Sequence, residues 1–360
     1  MAILQADNFS IYGASTSFML NGVYAAASNV SLPVDPDGIS SGRVLRLTPG
    51  GASSPSELRY VLQTGATDKV GMCTRVWFPS LPSGSDRATR PFTFCNTSNG
   101  ALYNLQVMPD GRLRFQSGGD NRGLGTEIAS TAIPVVTANG WYHLEIKVVI
   151  SDTVGSVEVR VEGQVVINES TLNLGTTPIG IVRANNFATN TSFLQTFYIK
   201  DFVVWDATGS YNNDFLGSVL VTNLTPTSDV ALNWTPSTGL DGYSILDNIP
   251  PVDAQYIFAE DAPLPSPYVC TLSDLPDEVT SVKAVMTYVR AAKSDGGDGS
   301  LQVGLISDPV GTPATALGAD RPITVAQTYW RDVFEEDPAT TAPWLPAAVN
   351  DVRLQINRTT

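Results

Sequence analysis

No stretch of this chain keeps apolar residues at helical spacing for more than about three turns. What recurs instead are short runs rich in Val, Ile, Thr and aromatic residues. They lie at Val44–Thr48, Glu57–Gln63, Val70–Phe78, Pro91–Cys95, Ala101–Met108, Arg112–Ser117, Trp141–Ser151, Ser156–Val161, Gln164–Asn168 and Leu194–Trp205. The 30 glycines and 24 prolines punctuate these runs and are not pooled in one linker. Short strands with turn signals every ten residues or so specify antiparallel sheets packed face to face. The expected fold class is all-β: an N-terminal jelly-roll β-sandwich followed by a second, smaller β-sandwich.

At 360 residues the chain is long enough for about two domains. Its texture changes after Trp205, where Asp206–Asn213 is rich in Gly, Ser, Asn and Asp, and Ser237–Asp241 is a second loop of that kind. The prediction is a first domain over residues 1–210 and a smaller β domain over 211–360. Strands of the second domain are expected at Val279–Ala292, Leu301–Ser307, Thr324–Phe334 and Asp351–Asn357, with Ser218–Thr222 a strand of either sheet system.

Two hairpins can be registered from their turns. Pro109-Asp110-Gly111 suits a three-residue loop with glycine in the left-handed position. That loop sets Val107 opposite Leu113 and Leu105 opposite Phe115 on one face. Asn104 then meets Gln116 and Gln106 meets Arg114 on the other, with Arg112 beside Met108. A one-residue slip would mix the faces, so the apolar pattern selects this register. By the same reasoning Glu162-Gly163 is expected to set Val159 against Val165 and Val157 against Ile167, with Glu158 and Arg160 outside.

Charge excludes several partners. Thirty-five acidic residues against 21 basic give a net charge of −14, and the lysines are scattered, so no nucleic-acid partner is expected. No run approaches the ~18 apolar residues of a membrane helix, so no membrane insertion is expected. The first eight residues lack a basic and an apolar region, and no secretory leader is expected. Cys73, Cys95 and Cys270 are odd in number and widely spaced, which suits buried free thiols.

The spacing of reactive side chains points away from catalysis. Glycoside hydrolysis needs two carboxylates flanking the bond; Glu158 with Glu162, and Glu335-Glu336-Asp337, lack that arrangement. The single histidine, His143, alternates with Leu144 and Ile146 and falls on the polar face of its strand, where a solvated or cross-strand-bonded ring is expected. The acidic turns Asp35-Pro36-Asp37-Gly38 and Asp295-Gly296-Gly297-Asp298-Gly299 read as tight turns, because calcium needs six to eight oxygens. The Gly118–Gly125 loop lies between strands and has no following helix to cradle phosphate. The expectation is no enzyme, no cofactor and no metal. The candidate ligand site is the polar hairpin face, Asn104, Gln106, Arg112, Arg114 and Gln116, whose amides and guanidinium forks suit a hydroxyl-rich glycan. Tyr103 lies on the opposite face and cannot stack over it.

Asn139-Gly140-Trp141-Tyr142-His143-Leu144-Glu145-Ile146-Lys147, followed by Ser156–Gly163 and Gln164–Asn168, resembles the laminin G and concanavalin A-like lectin sandwich. Phe197–Asp206 is similar to that family's closing strand. Asn212-Asn213-Asp214-Phe215-Leu216-Gly217-Ser218-Val219, then Asn233-Trp234-Thr235-Pro236-Ser237 and Tyr243–Asp247, resembles a segment of tailed-phage virion proteins. The ending, Phe334–Pro338 with Pro343-Trp344 and Ala347–Asn350, is also similar to those proteins. The resemblance implies a structural component of a phage particle, assembled in the host cytoplasm: a tail fibre or tail-tip protein, or alternatively a capsid-decoration or head-fibre protein. It implies other virion proteins as partners, a homo-oligomer such as a trimer, and attachment to a host surface glycan. The lectin calcium and sugar ligands do not carry over, because no acidic motif here matches them. A glycan depolymerase is the third class, and it requires distant loops to bring two acids together.

Overall fold

The computed structural model describes residues 2–36, 42–50, 55–82, 89–118, 125–186, 195–260 and 266–360. The chain divides into two compact units, Ala2–Val221 and Thr222–Thr360. The fold is all-β, and the first unit is a sandwich of two antiparallel sheets.

Fifteen strands of the first unit are described: β1 (Ile3–Asp7), β2 (Ala26–Ser28), β3 (Val30–Ser31), β4 (Leu45–Leu47), β5 (Ser56–Val61), β6 (Lys69–Trp77), β7 (Thr89–Cys95), β8 (Ala101–Val107), β9 (Leu113–Ser117), β10 (Thr126–Ser130), β11 (Trp141–Val149), β12 (Gly155–Val161), β13 (Gln164–Leu172), β14 (Ile181–Asn186) and β15 (Phe197–Asp206). An 8-stranded sheet runs β13-β12-β11-β6-β15-β4-β3, with β1 also paired to β15. A 7-stranded sheet runs β10-β9-β8-β7-β14-β5-β2. Alternation dictates which side chains enter the core between them. Met72, Leu144, Ile146, Val148 and Val159 come from the first sheet, and Leu58, Phe92, Phe94, Leu105 and Phe115 from the second; all are buried. The Tyr60 hydroxyl of β5 donates to the Leu4 carbonyl of β1 at 2.9 Å, stitching one sheet to the other.

The β8–β9 hairpin has the expected register, with Leu105 opposite Phe115, Val107 opposite Leu113, Asn104 opposite Gln116 and Gln106 opposite Arg114. Gly111 supplies the left-handed residue at φ 83°. Tyr103 faces the core, stacked on Phe115 at 5.6 Å and donating to the Leu174 carbonyl at 2.6 Å. The β12–β13 hairpin differs from expectation. Glu162 and Gly163 both take positive φ, 50° and 77°, which makes a two-residue loop pairing Val161 with Gln164. A register shift between Val159 and Arg160 then brings Ile167, not Val165, opposite Val159. Val165 is left exposed as a result.

The second unit is a smaller sandwich. Its 6-stranded sheet includes Pro226–Ala231, Tyr268–Leu272, Arg353–Arg358, Ser300–Ser307 and Ala314–Leu317 in that order. A ribbon of Val285–Ala291 with Thr328–Phe334 lies against it, Val289 and Ala291 packing on a core of Trp234, Tyr268, Cys270, Leu301, Val303 and Ile356. The expected strand at Ser218–Thr222 is absent, and a short helix, Pro346–Asp351, precedes the last strand. The strand reading failed there because residues 213–221 are held by side chains and not by a ladder. All three cysteines are buried free thiols.

Candidate functional site

Strand alternation gives the 7-stranded sheet an outer face that is polar along its length. On β5, Glu57 and Arg59 point away from the core residues Leu58 and Tyr60. The ladder carries that row onward: Arg59 pairs with Arg183 and Glu57 with Asn185 on β14, Arg183 with Thr93 on β7, Thr93 with Asn104 on β8, and Asn104 with Gln116 on β9. Gln106 and Arg114 form the adjacent pair. Glu57, Thr93, Asn104, Gln106, Gln116, Arg183 and Asn185 are all buried.

Part of this face is internally bonded. Arg59 donates to Glu57 at 2.6 Å, and Arg183 lies 3.7 Å from the other Glu57 oxygen. Thr93 donates to Asn185 at 3.1 Å, Asn104 to the Gly118 carbonyl at 3.0 Å, and Arg114 to Gln106 at 2.7 Å. Other atoms of the same residues are buried without a hydrogen bond: Asn104 Oδ1, Gln116 Nε2, Asn185 Nδ2 and Arg183 Nε. An unbonded buried polar atom costs on the order of 1–3 kcal/mol, and such atoms are few in natural proteins. Here four of them share one sheet face, with a carbonyl acceptor and amide and guanidinium donors among them. This set matches a ligand bearing hydroxyls, each of which both donates and accepts.

Four of the five residues anticipated from sequence, Asn104, Gln106, Arg114 and Gln116, meet on this face. Arg112 does not join them; it folds back onto Asp110 at 2.6 Å in the turn. Its backbone N–H and guanidinium lower the Asp110 carboxyl. Sequence reasoning missed Glu57, Arg59, Thr93, Arg183 and Asn185. The signal was present in Ser56–Val61 and Ile181–Asn186, where charged or amide residues alternate with Leu, Tyr, Val and Ala.

His143 lies on the other sheet. It occupies the polar side of β11, as alternation requires, but is only 2% exposed, and neither ring nitrogen has a hydrogen bond. The expectation of a solvated or cross-strand-bonded ring is corrected on both counts. Burial lowers the imidazole to about 4; Arg75 opposite it adds to the fall and Glu162 opposes it. Asp35 is ion-paired to Lys200 at 2.8 Å, whereas Asp37 and Gly38 of that turn lie outside the described residues. Residues 119–124 of the glycine-rich loop also lie outside them. Asp295 accepts the Gly297 N–H at 2.9 Å, a turn bond. Among the described residues no group of three or more His, Cys, Asp or Glu side chains is placed to hold a metal. No helix there is long and apolar enough to cross a membrane.

No family model matches the sequence, and no curated protein does. Solved structures are similar in fold at low identity. An alginate lyase, vAL-1, from a Chlorella virus has a TM-score of 0.43 at 11% identity, over 57% of this chain and 99% of that one. The carbohydrate esterase of Shiga toxin-encoding bacteriophage phi24B has a TM-score of 0.39 at 14% identity, over 56% and 96%. The Emp47p carbohydrate recognition domain has a TM-score of 0.38 at 13% identity, over 57% and 97%. These neighbours correct the expectation of a chain without catalytic activity. Lyases and an esterase stand among them beside a lectin domain.

Proposed function

We propose that this chain is a glycan-binding protein of a bacteriophage particle, a tail fibre or tail-tip component, or in the alternative a capsid-decoration or head-fibre protein. It holds a host surface glycan on the polar outer face of the 7-stranded sheet. The observation that carries the reading is the row Arg183, Thr93, Asn104 and Gln116 across four adjacent strands, with buried polar atoms left unbonded at Arg183, Asn104 and Gln116. These atoms are closed to solvent, so the face has to open for a glycan chain to bring hydroxyls to them. The particle assignment rests on the resemblance of Asn212–Val219 and Asn233–Ser237 to phage virion proteins, which also brings other virion proteins and a homo-oligomer, such as a trimer, as partners.

Binding to an array of bacterial surface polysaccharides tests it, with Arg183→Ala and Asn104→Ala/Gln116→Ala as variants. Each is expected to weaken a wild-type hit by about tenfold, since a hydrogen bond to a charged group is worth ~1.5–3 kcal/mol and two neutral ones together ~1–3 kcal/mol. Unchanged binding in both variants overturns the site. The bound polysaccharide is also to be sized after incubation, because shortening with time that the same variants abolish would make this face an active site. Glu57, clamped between Arg59 and Arg183, is the carboxylate to replace in that event.

A further inference from the structure

Beyond β15 the chain turns back over the outer face of the 8-stranded sheet. Lys69 donates to the Asn213 carbonyl at 3.0 Å, Lys147 pairs with Asp214 at 2.6 Å, and Arg75 reaches the Ser218 hydroxyl at 3.4 Å. Phe215 packs edge-on against Trp205 at 6.4 Å, with Lys147 Nζ 4.6 Å and the Arg160 guanidinium 3.8 Å from its ring centroid. Leu216 is buried and Leu220 exposed, so apolar anchorage is thin.

Asn8 Nδ2 also donates to the Val221 carbonyl at 2.9 Å. Two buried acids of the sheet add further attachments. Glu145 Oε1 accepts the Leu216 N–H at 2.6 Å, and Asp201 Oδ1 accepts the Val221 N–H at 3.0 Å. Glu145 Oε2 has no hydrogen bond, and Asp201 Oδ2 stands 3.6 Å from Arg75 Nε, an ion pair without one. A neutral carboxyl keeps an oxygen to accept the strap N–H and avoids burying a charge. An ionised one must bury it. We infer that residues 207–221 form a pH-dependent strap, docked through Glu145 and Asp201, that lets go as these carboxyls ionise.

The groups around each acid set the sign. Glu145 faces Cys73 on β6, Arg160 on β12 and Asp214 on the strap, with His143 and Lys147 on its own strand. Burial raises it to about 7, opposed by the Leu216 and Gly217 N–H groups and by Arg160, and assisted by Asp214. Asp201 faces Arg75, Lys200, Asp35 and Cys73, and burial raises it to about 6 against the Val221 N–H and the two cations. Such release requires that lifting the strap re-exposes both acids to water, so that they fall back toward the ordinary carboxylate range. The docked form therefore binds protons more tightly. Docking is at full strength below that range and is lost as pH rises through about 6 and then about 7. Release converts about 15 docked residues into a tether of ~50 Å at full extension.

Hydrogen exchange of the full chain between pH 5.5 and 8.5, corrected for the intrinsic rate, tests this. Protection of residues 213–221 is expected to fall by about tenfold or more across pH 6–8, while β11 keeps its protection. Glu145→Gln/Asp201→Asn keeps the acceptors without the charge and should leave the strap protected at pH 8. Strap protection that does not change with pH in the wild-type chain overturns the proposal, whether or not the double variant folds. A pH profile in the folded double variant identical to wild type overturns it as well.

Discussion

Gly71 leaves the space that the Trp205 indole fills: a Cβ built on Gly71 would stand 2.0 Å from Trp205 Cε2. The two residues are ladder partners on β6 and β15, on the outer face of the 8-stranded sheet, and Trp205 is fully buried. Gly71→Ala is expected to cost about 3 kcal/mol, because a rigid ring in a packed sheet cannot yield without moving Phe215 as well. Denaturant unfolding followed by tryptophan fluorescence checks it, and a loss under about 0.5 kcal/mol would show the indole free to shift.

Gly111 faces a double constraint. Its φ of 83° excludes β-branched side chains, and a Cβ would meet the Val136 carbonyl oxygen at 2.2 Å. Its own carbonyl accepts the N–H groups of Val135 and Val136. Gly111→Val should destabilise the first unit by about 3 kcal/mol or more, with exchange protection lost first at the β8–β9 end of the sheet. Calorimetry together with residue-resolved exchange measures both.

The chain has a single histidine, so its imidazole gives one unambiguous proton signal. His143 is lowered to about 4 by burial and by Arg75. The folded state therefore binds this proton less readily than the unfolded chain does. The stability it contributes is complete above the ordinary imidazole range and is lost as pH falls from there through about 4. NMR titration should show a neutral ring at pH 6 and a midpoint near 4. A midpoint near 6.5 would mean the ring is solvated after all.

Asp229 organises the second unit. Its Oδ1 accepts the Tyr268 hydroxyl at 2.6 Å and the Tyr243 N–H at 2.8 Å, and its Oδ2 accepts the Gly242 N–H at 2.9 Å. Tyr268 is fully buried, and burial followed by the Asp229 bond raises its phenol far above the usual range. Asp229→Ala strands three donors and should cost about 2–4 kcal/mol. Two-transition thermal melts are expected to show the loss in the Thr222–Thr360 unit and not in Ala2–Val221. A shift of both together would show the units unfolding as one.

What the sequence by itself determined was everything that depends on a period of two and a local turn. The all-β class, the β8–β9 register and the outward placement of His143 and Asn104 follow from alternation along one or two neighbouring strands. The β12–β13 register was already beyond it, because the loop type turned on Glu162 adopting positive φ, a conformation uncommon for glutamate. Burial of the polar residues was wholly out of reach. His143 and Glu145 read as a solvent face until Arg75 arrives from β6 and residues 213–221 fold back over the sheet. The ligand face has the same character: Glu57, Arg183 and Asn104 are separated by up to 126 positions and become neighbours only because β14 pairs with both β5 and β7. Strand order within a sheet is set by nonlocal core packing, and no window of sequence contains it.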